Sequence, residues 1–162
     1  MPEGTDMMQK LFAHTLTLTR ETAQDVDVEA LWAGMVRFVH APEKYNEQIQ
    51  SSRVTAGAGD RPGTVFERVL DFGSHCVNET VYLNKAMFLM QFHVRETKEY
   101  PASILKIEIT RSEDELPAVT FSYYASEPPR VPASLRPLVE KAWEEKDKDL
   151  LKKIILETLE GL

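Results

Sequence analysis

Six short segments in which apolar and polar residues alternate crowd into the stretch from Arg53 to Tyr124. They read RVTAGA, TVFERVLDF, HCVNETVYL, AMFLMQFHV, SILKIEI and AVTFSYY. Parallel strands need a crossover of a dozen or more residues, usually a helix, and this stretch has no room for one. The segments must therefore pair antiparallel, as a meander of hairpins. A seventh alternating segment, LFAHTLTLT, lies near the start. It sets Phe12, His14, Leu16 and Leu18 on one side and Thr15, Thr17 and Thr19 on the other.

Two stretches change period. In DVEALWAGMVRFVHAP, residues Val28, Leu31, Trp32, Met35, Val36 and Val39 follow the spacing of an amphipathic helix, with Asp27 as N-cap. Pro42 ends that helix or opens a second short one, PEKYNEQI. After the proline-rich SEPPRVPAS, one helix is predicted from about Pro137 to Leu159, roughly 35 Å at ~1.5 Å per residue. A seven-stranded sheet and one long helix must bury their apolar faces on each other. The predicted class is α+β: a curved antiparallel sheet wrapped around a C-terminal helix, with two short helices after the first strand. Residues 1–9 read as a loose tail and 10–162 as a single domain, a length that suits one core.

Composition removes several function classes. The net charge of −7 comes with no basic stripe, which argues against nucleic acid as a partner. Cys76 is the one cysteine, so no internal disulfide forms, as suits a reducing compartment. No apolar run reaches the ~18–20 residues that span a bilayer, and MPEGTDMMQK lacks the apolar centre of a secretory signal. The expectation is a soluble cytoplasmic protein without stable membrane association. A homodimer is left open.

The segment VFERVLDFG places Phe66, Arg68, Leu70 and Phe72 on one face. Gly73-Ser74 suits a two-residue type II′ hairpin turn. Counting back from it, Leu70 pairs with Val77, Arg68 with Glu79 and Phe66 with Val81. A short turn at Asn84-Lys85 would then set Phe88 against Val81, Met90 against Glu79 and Phe92 against Val77. On the last helix, Val139, Trp143, Leu150 and Ile154 form the apolar stripe. At ~100° per residue Asp147 lies within about 40° of its centre. Arg68, Glu79 and Asp147 are thus expected to face one interior space as a cation with two carboxylates. Two readings stand side by side. Arg68 and Glu79 can be a structural cross-strand pair, of little net worth when buried. They can also face a ligand, with the second acid suited to general acid–base work in apolar surroundings.

Other motifs carry less. GAGDRPG at Gly57 precedes a strand rather than a helix, so it reads as a hairpin turn and not a phosphate loop. His14, His40, His75 and His93 have no metal-ligand spacing, and no metal site is expected. His14 and His75 stay open for an interior role. Cys76 falls on the outer face with no base nearby in sequence, and no GxSxG motif is present.

LWAGMVRFVHAPEKY after the first strand, ERVLDFG with Arg68, VNETVYL with Glu79 and KAWEEKDKDLLKKII with Asp147 occur in this order and spacing. Together they resemble the START/SRPBCC superfamily, whose helix-grip fold is shared with the birch pollen allergen. More narrowly they resemble its AtaL-like branch. The resemblance covers nearly the whole chain and implies a hydrophobic cavity between sheet and C-terminal helix. It brings no agreed catalytic set. The reading that follows is a cofactor-free cyclase, isomerase or dehydratase acting on an apolar, aromatic or polyketide-like compound. Arg68 would hold a ligand oxygen, with Glu79 and Asp147 orienting it and one of them acting as acid or base. The expected walls are Trp143, Phe66, Leu70, Val81, Phe88, Met90, Phe92, His14 and Trp32. The alternatives are a carrier without chemistry and a module that docks a partner protein.

Overall fold

A computed structural model describes residues 8–55 and 64–161. The strands are β1 (Gln9–Thr17), β2 (Ser51–Val54), β3 (Thr64–Asp71), β4 (Cys76–Asn84), β5 (Leu89–Val94), β6 (Ser103–Arg111) and β7 (Pro117–Ala125). The helices are α1 (Arg20–Ala23), α2 (Val28–His40) and α3 (Arg136–Glu160). All seven strands form one antiparallel sheet in the order β1-β7-β6-β5-β4-β3-β2. The meander is what short connections dictate. Part of the expected tail, residues 1–7, lies outside the described residues, as does the GAGDRPG turn.

The β3–β4 hairpin has the predicted register: Arg68 faces Glu79, Leu70 faces Val77 and Phe66 faces Val81. Gly73 adopts φ +87° while Ser74 stays at negative φ, and the Phe72 amide donates to the His75 carbonyl. Glycine tolerates that first turn position because it has no Cβ.

The next hairpin differs from expectation. Lys85–Met87 forms a 3-10 turn whose N-cap Asn84 accepts from the Met87 amide, and Phe88 follows in the left-handed region at φ 50°. The extra residues slide β5 by four positions, so Phe92 faces Val81 and Met90 faces Leu83. An even slide keeps every side chain on its face.

α2 starts at the predicted cap, Asp27, whose carboxylate accepts from the Ala30 amide, and it stops at His40 before Pro42. The two helices after β1 are α1 and α2. The segment after Pro42 makes only a 3-10 turn, Pro42–Lys44. There the Asn46 side chain accepts from the Gln48 amide, a local bond that competes with helix. α1 is capped by the Thr19 hydroxyl, which accepts from the Thr22 amide.

α3 lies over the concave face, but only its second half is sealed: Asp147, Leu150, Leu151 and Ile154 are its buried residues. α2 packs against it closely. A Cβ built on Gly34 would stand 2.4 Å from Ile154 Cγ2. Among the described residues no helix is long and apolar enough to cross a membrane.

Candidate functional site

Alternation along the strands builds a concave face, and α2 covers only one end of it. Val28, Leu31, Trp32, Met35 and Val39 of α2 join Phe66, Val81, Leu83 and Met90 in one buried cluster, with Phe88 packed against it. The other end stays open beneath α3, as a cavity of about 960 Å³. Arg68 and Leu70 of β3, Val77 and Glu79 of β4, and Phe92 of β5 line it from the sheet. Phe121 and Tyr123 of β7 face Trp143 and Asp147 of α3 across the same space.

Eight of the nine expected wall residues separate into two groups, and the ninth, His14, is not among the lining residues and meets Asp147 instead. Leu70, Phe92 and Trp143 line the cavity, as do Arg68, Glu79 and Asp147. Phe66, Val81, Met90, Trp32 and Phe88 do not line it and pack together at the end that α2 covers. Phe66, Val81 and Met90 share a strand face with the cavity residues, as alternation requires, but the stripe of α2, Trp32 included, needs an apolar area beneath it and takes that end of the sheet.

The three charged residues singled out in the sequence are all buried: Arg68 at 3%, Glu79 at 6% and Asp147 at 1% exposure. They do not form one cluster. Arg68 Nε and Nη2 donate to Glu79 Oε1 at 2.7 and 2.6 Å, and Nη1 donates to the Val39 carbonyl at 2.7 Å. Val39 sits in the last turn of α2, whose carbonyls lack partners within the helix. The guanidinium thus caps the helix where its dipole favours a cation. Its Cζ lies 5.0 Å from the Phe92 ring centroid.

Asp147 has other partners. His14 Nε2 lies 2.7 Å from Asp147 Oδ2, and the Tyr123 hydroxyl donates to the same oxygen at 2.6 Å. His14 reaches it because the β1–β7 register sets it across from Phe121, on which it stacks. Tyr123 stacks on Trp143 with centroids 4.6 Å apart. Burial, then the Asp147 charge and hydrogen bond, hold the Tyr123 phenol far above its ordinary range, so it stays a neutral donor. Tyr123 escaped the sequence reading, although it shares strand parity with Phe121 and Val119, the apolar face of its segment. His75, left open for an interior role, is exposed and stacks on Phe72. Cys76 is exposed as expected.

Both protein contacts to Glu79 fall on Oε1, and both to Asp147 fall on Oδ2. Among the described residues the one fully buried side-chain polar atom without a partner is Trp32 Nε1. Glu79 Oε2 and Asp147 Oδ1 are not in that class, and both residues border the cavity. Among the described residues no group of three His, Cys, Asp or Glu side chains is placed to hold a metal.

The segment after α2 closes one wall through Pro42, Tyr45 and Ile49. It is pinned to α3. The Tyr45 hydroxyl donates to Glu157 Oε1 at 2.6 Å, Arg37 Nε donates to the same oxygen at 2.9 Å, and Lys153 Nζ donates to the Tyr45 carbonyl at 3.0 Å. Burial and the Glu157 carboxylate push the Tyr45 phenol up to about 12. A phenol whose folded value is raised contributes stability that is complete below its ordinary value of 10 and fades as pH climbs towards 12. Denaturant midpoints of the protein and of Tyr45→Phe should thus differ at neutral pH and converge between pH 10 and 12. A constant gap across that window would show that the phenol does not titrate as a latch.

A family model described as "AtaL: Acetylaranotin biosynthesis cluster protein L" matches residues 6–161. No curated protein matches the sequence significantly. Among solved structures, Ara h 8.0201 aligns with a TM-score of 0.61 at 15% identity, covering 94% of this chain and 99% of its own. The Zhui aromatase/cyclase from Streptomyces sp. R1128 aligns with a TM-score of 0.59 at 11% identity, covering 93% of each chain. Both share the helix-grip architecture, a curved antiparallel sheet closed by a long C-terminal helix. At such identities the likeness establishes fold, and chemistry has to be argued from the site.

Proposed function

The chain belongs to the AtaL family, and on that premise we propose that it binds an apolar, aromatic or polyketide-like compound and rearranges it by proton transfer. Cyclisation, isomerisation and dehydration are reactions of this kind, and none needs a cofactor. The proposal rests on Asp147, a carboxylate 1% exposed, held on one oxygen by His14 and Tyr123, in the wall of a cavity of about 960 Å³. That volume suits a drug-sized or polycyclic ligand. Trp143, Phe92 and Leu70 supply flat and aliphatic walls.

Asp147 Oδ1 is the group placed to take or return a proton. Tyr123, a neutral donor, steadies the carboxylate, and His14 on Oδ2 can exchange the proton. The Zhui protein, an aromatase/cyclase by its description, supports the reaction class by analogy of fold alone. General acid–base catalysis contributes ~10²–10⁴-fold, so Asp147→Asn should lower turnover at saturating substrate by that range while the melting temperature holds. The substrate for this measurement is the compound that co-purifies from the protein's own host, identified by native mass spectrometry. Undiminished turnover in Asp147→Asn would sink the catalytic reading.

One observation favours a carrier instead. Each nitrogen of Arg68 already has a protein partner, so Arg68 is better placed to hold the fold than to polarise a ligand oxygen. A carrier would release its compound chemically unchanged.

A further inference from the structure

The polar groups of the cavity have a directional bias that constrains what can bind there; this step rests on the reading of a ligand pocket. The deep donors are mostly used, with three of the five guanidinium N–H groups of Arg68 on protein acceptors. Arg68 donates from all three nitrogens to Glu79 and Val39, Tyr123 donates to Asp147, and His14 Nε2 is engaged by the same carboxylate. The deep acceptors are not. Among the described residues none bonds to Glu79 Oε2 or Asp147 Oδ1, and both residues are more than nine-tenths buried in the cavity wall. Once an occupant displaces water from the cavity, a polar atom left unpaired costs free energy, and a charged one costs more. An occupant is therefore favoured if it brings hydrogens to these two oxygens. A ligand carboxylate would add a third negative charge beside one guanidinium that already has its partner.

We propose that the cavity selects aromatic compounds that present hydrogen-bond donors, as phenolic hydroxyls or protonated amines, and discriminates against aromatic carboxylates. Glu79 and Asp147 receive the donors from opposite walls, one on β4 and the other on α3. The aromatic body lies against Trp143 and Phe92. Lys146, exposed at the rim beside the Tyr123 ring at 5.5 Å, does not reverse this preference because its charge is solvated.

Four naphthalenes of similar size provide the test, by isothermal titration of the intact protein: 1-naphthol, 1-naphthylmethylamine, 1-methylnaphthalene and 1-naphthoate. Naphthol and the amine should each bind at least tenfold more tightly than methylnaphthalene, and naphthoate should be the weakest. In Asp147→Asn the advantage of the amine over methylnaphthalene should fall at least fivefold. Naphthoate binding as tightly as the amine overturns the donor preference while leaving a ligand pocket in place. Equal affinity for all four does the same. Failure of all four to bind overturns the pocket reading and this inference with it. The wild-type series decides the matter even if Asp147→Asn does not fold.

Discussion

Arg68→Met should lower folding stability by ~3–5 kcal/mol, measured by urea titration, the cost typical of stripping one partner from a buried ion pair. The substitution keeps most of the side-chain volume but removes every donor. Glu79, 6% exposed, would be left with a buried charge and no cation. The Val39 carbonyl at the end of α2 would lose its cap. The strand pair and the helix would thus lose the group that ties them together. Arg68→Met combined with Glu79→Leu should recover most of the loss, because replacing both members of such a pair by apolar residues is often neutral or better. A cost under about 1 kcal/mol for the single variant would place the pair in the class of solvated surface bridges. The same geometry shows why Arg68→Met is a poor test of catalysis: it removes a structural clamp along with any role towards a ligand. Asp147→Asn, which keeps the shape of the side chain, is the cleaner variant.

Ile154→Ala should cost ~2–5 kcal/mol, as buried isoleucine truncations do. Ile154 has no exposed surface and stands where α3 crosses α2 at Gly34. Gly34→Ala should also destabilise. It gains about 1 kcal/mol of helix propensity. Against that, its Cβ would lie 2.4 Å from Ile154 Cγ2, and such overpacking costs ~1–3 kcal/mol. The Ile154 branch is stiff in a helix and cannot swing aside. The two changes should therefore be mutually compensating, because the alanine methyl at 34 enters the space that Ile154→Ala vacates. A double-mutant cycle should give a favourable coupling above ~0.5 kcal/mol. Strict additivity would mean that the helices shift apart instead of holding their crossing.

Where a local rule was decisive, the sequence was readable. Gly73-Ser74 fixed the β3–β4 register because only glycine accepts that turn position freely, and the Arg68–Glu79 pairing followed from it. Asp27 marked the start of α2 by the same kind of local chemistry. Phe88 shows the opposite case: a bulky residue at positive φ has no signature in the sequence, so the 3-10 turn before it and the four-residue slide of β5 stayed hidden. The site was half legible. Helix periodicity brought Asp147 to the interior, where it lies, but could not say which strand it would meet. That depended on β1 joining β7, a pairing between the two ends of the chain that brings His14 and Tyr123 beneath α3. Phe66, Val81 and Met90 read as pocket walls because alternation gives the face of a strand residue and not what covers that face, and Trp32 because helix periodicity likewise does not say which part of the sheet it meets.

The division of the concave face into a sealed end and an open end bears on how this protein can diversify. Residues beneath α2 answer to one another, so each exchange there must preserve volume. Leu70, Val77 and Phe92 border empty space on one side, so a change of size there meets fewer neighbours than in the sealed end. A saturation library read by abundance in the cell should therefore accept bulkier and smaller residues at these three positions and reject them at Val81, Leu83 and Met90. One half of the sheet can then hold the architecture constant while the other drifts towards new compounds, and a descendant could acquire a different ligand without passing through an unfolded ancestor.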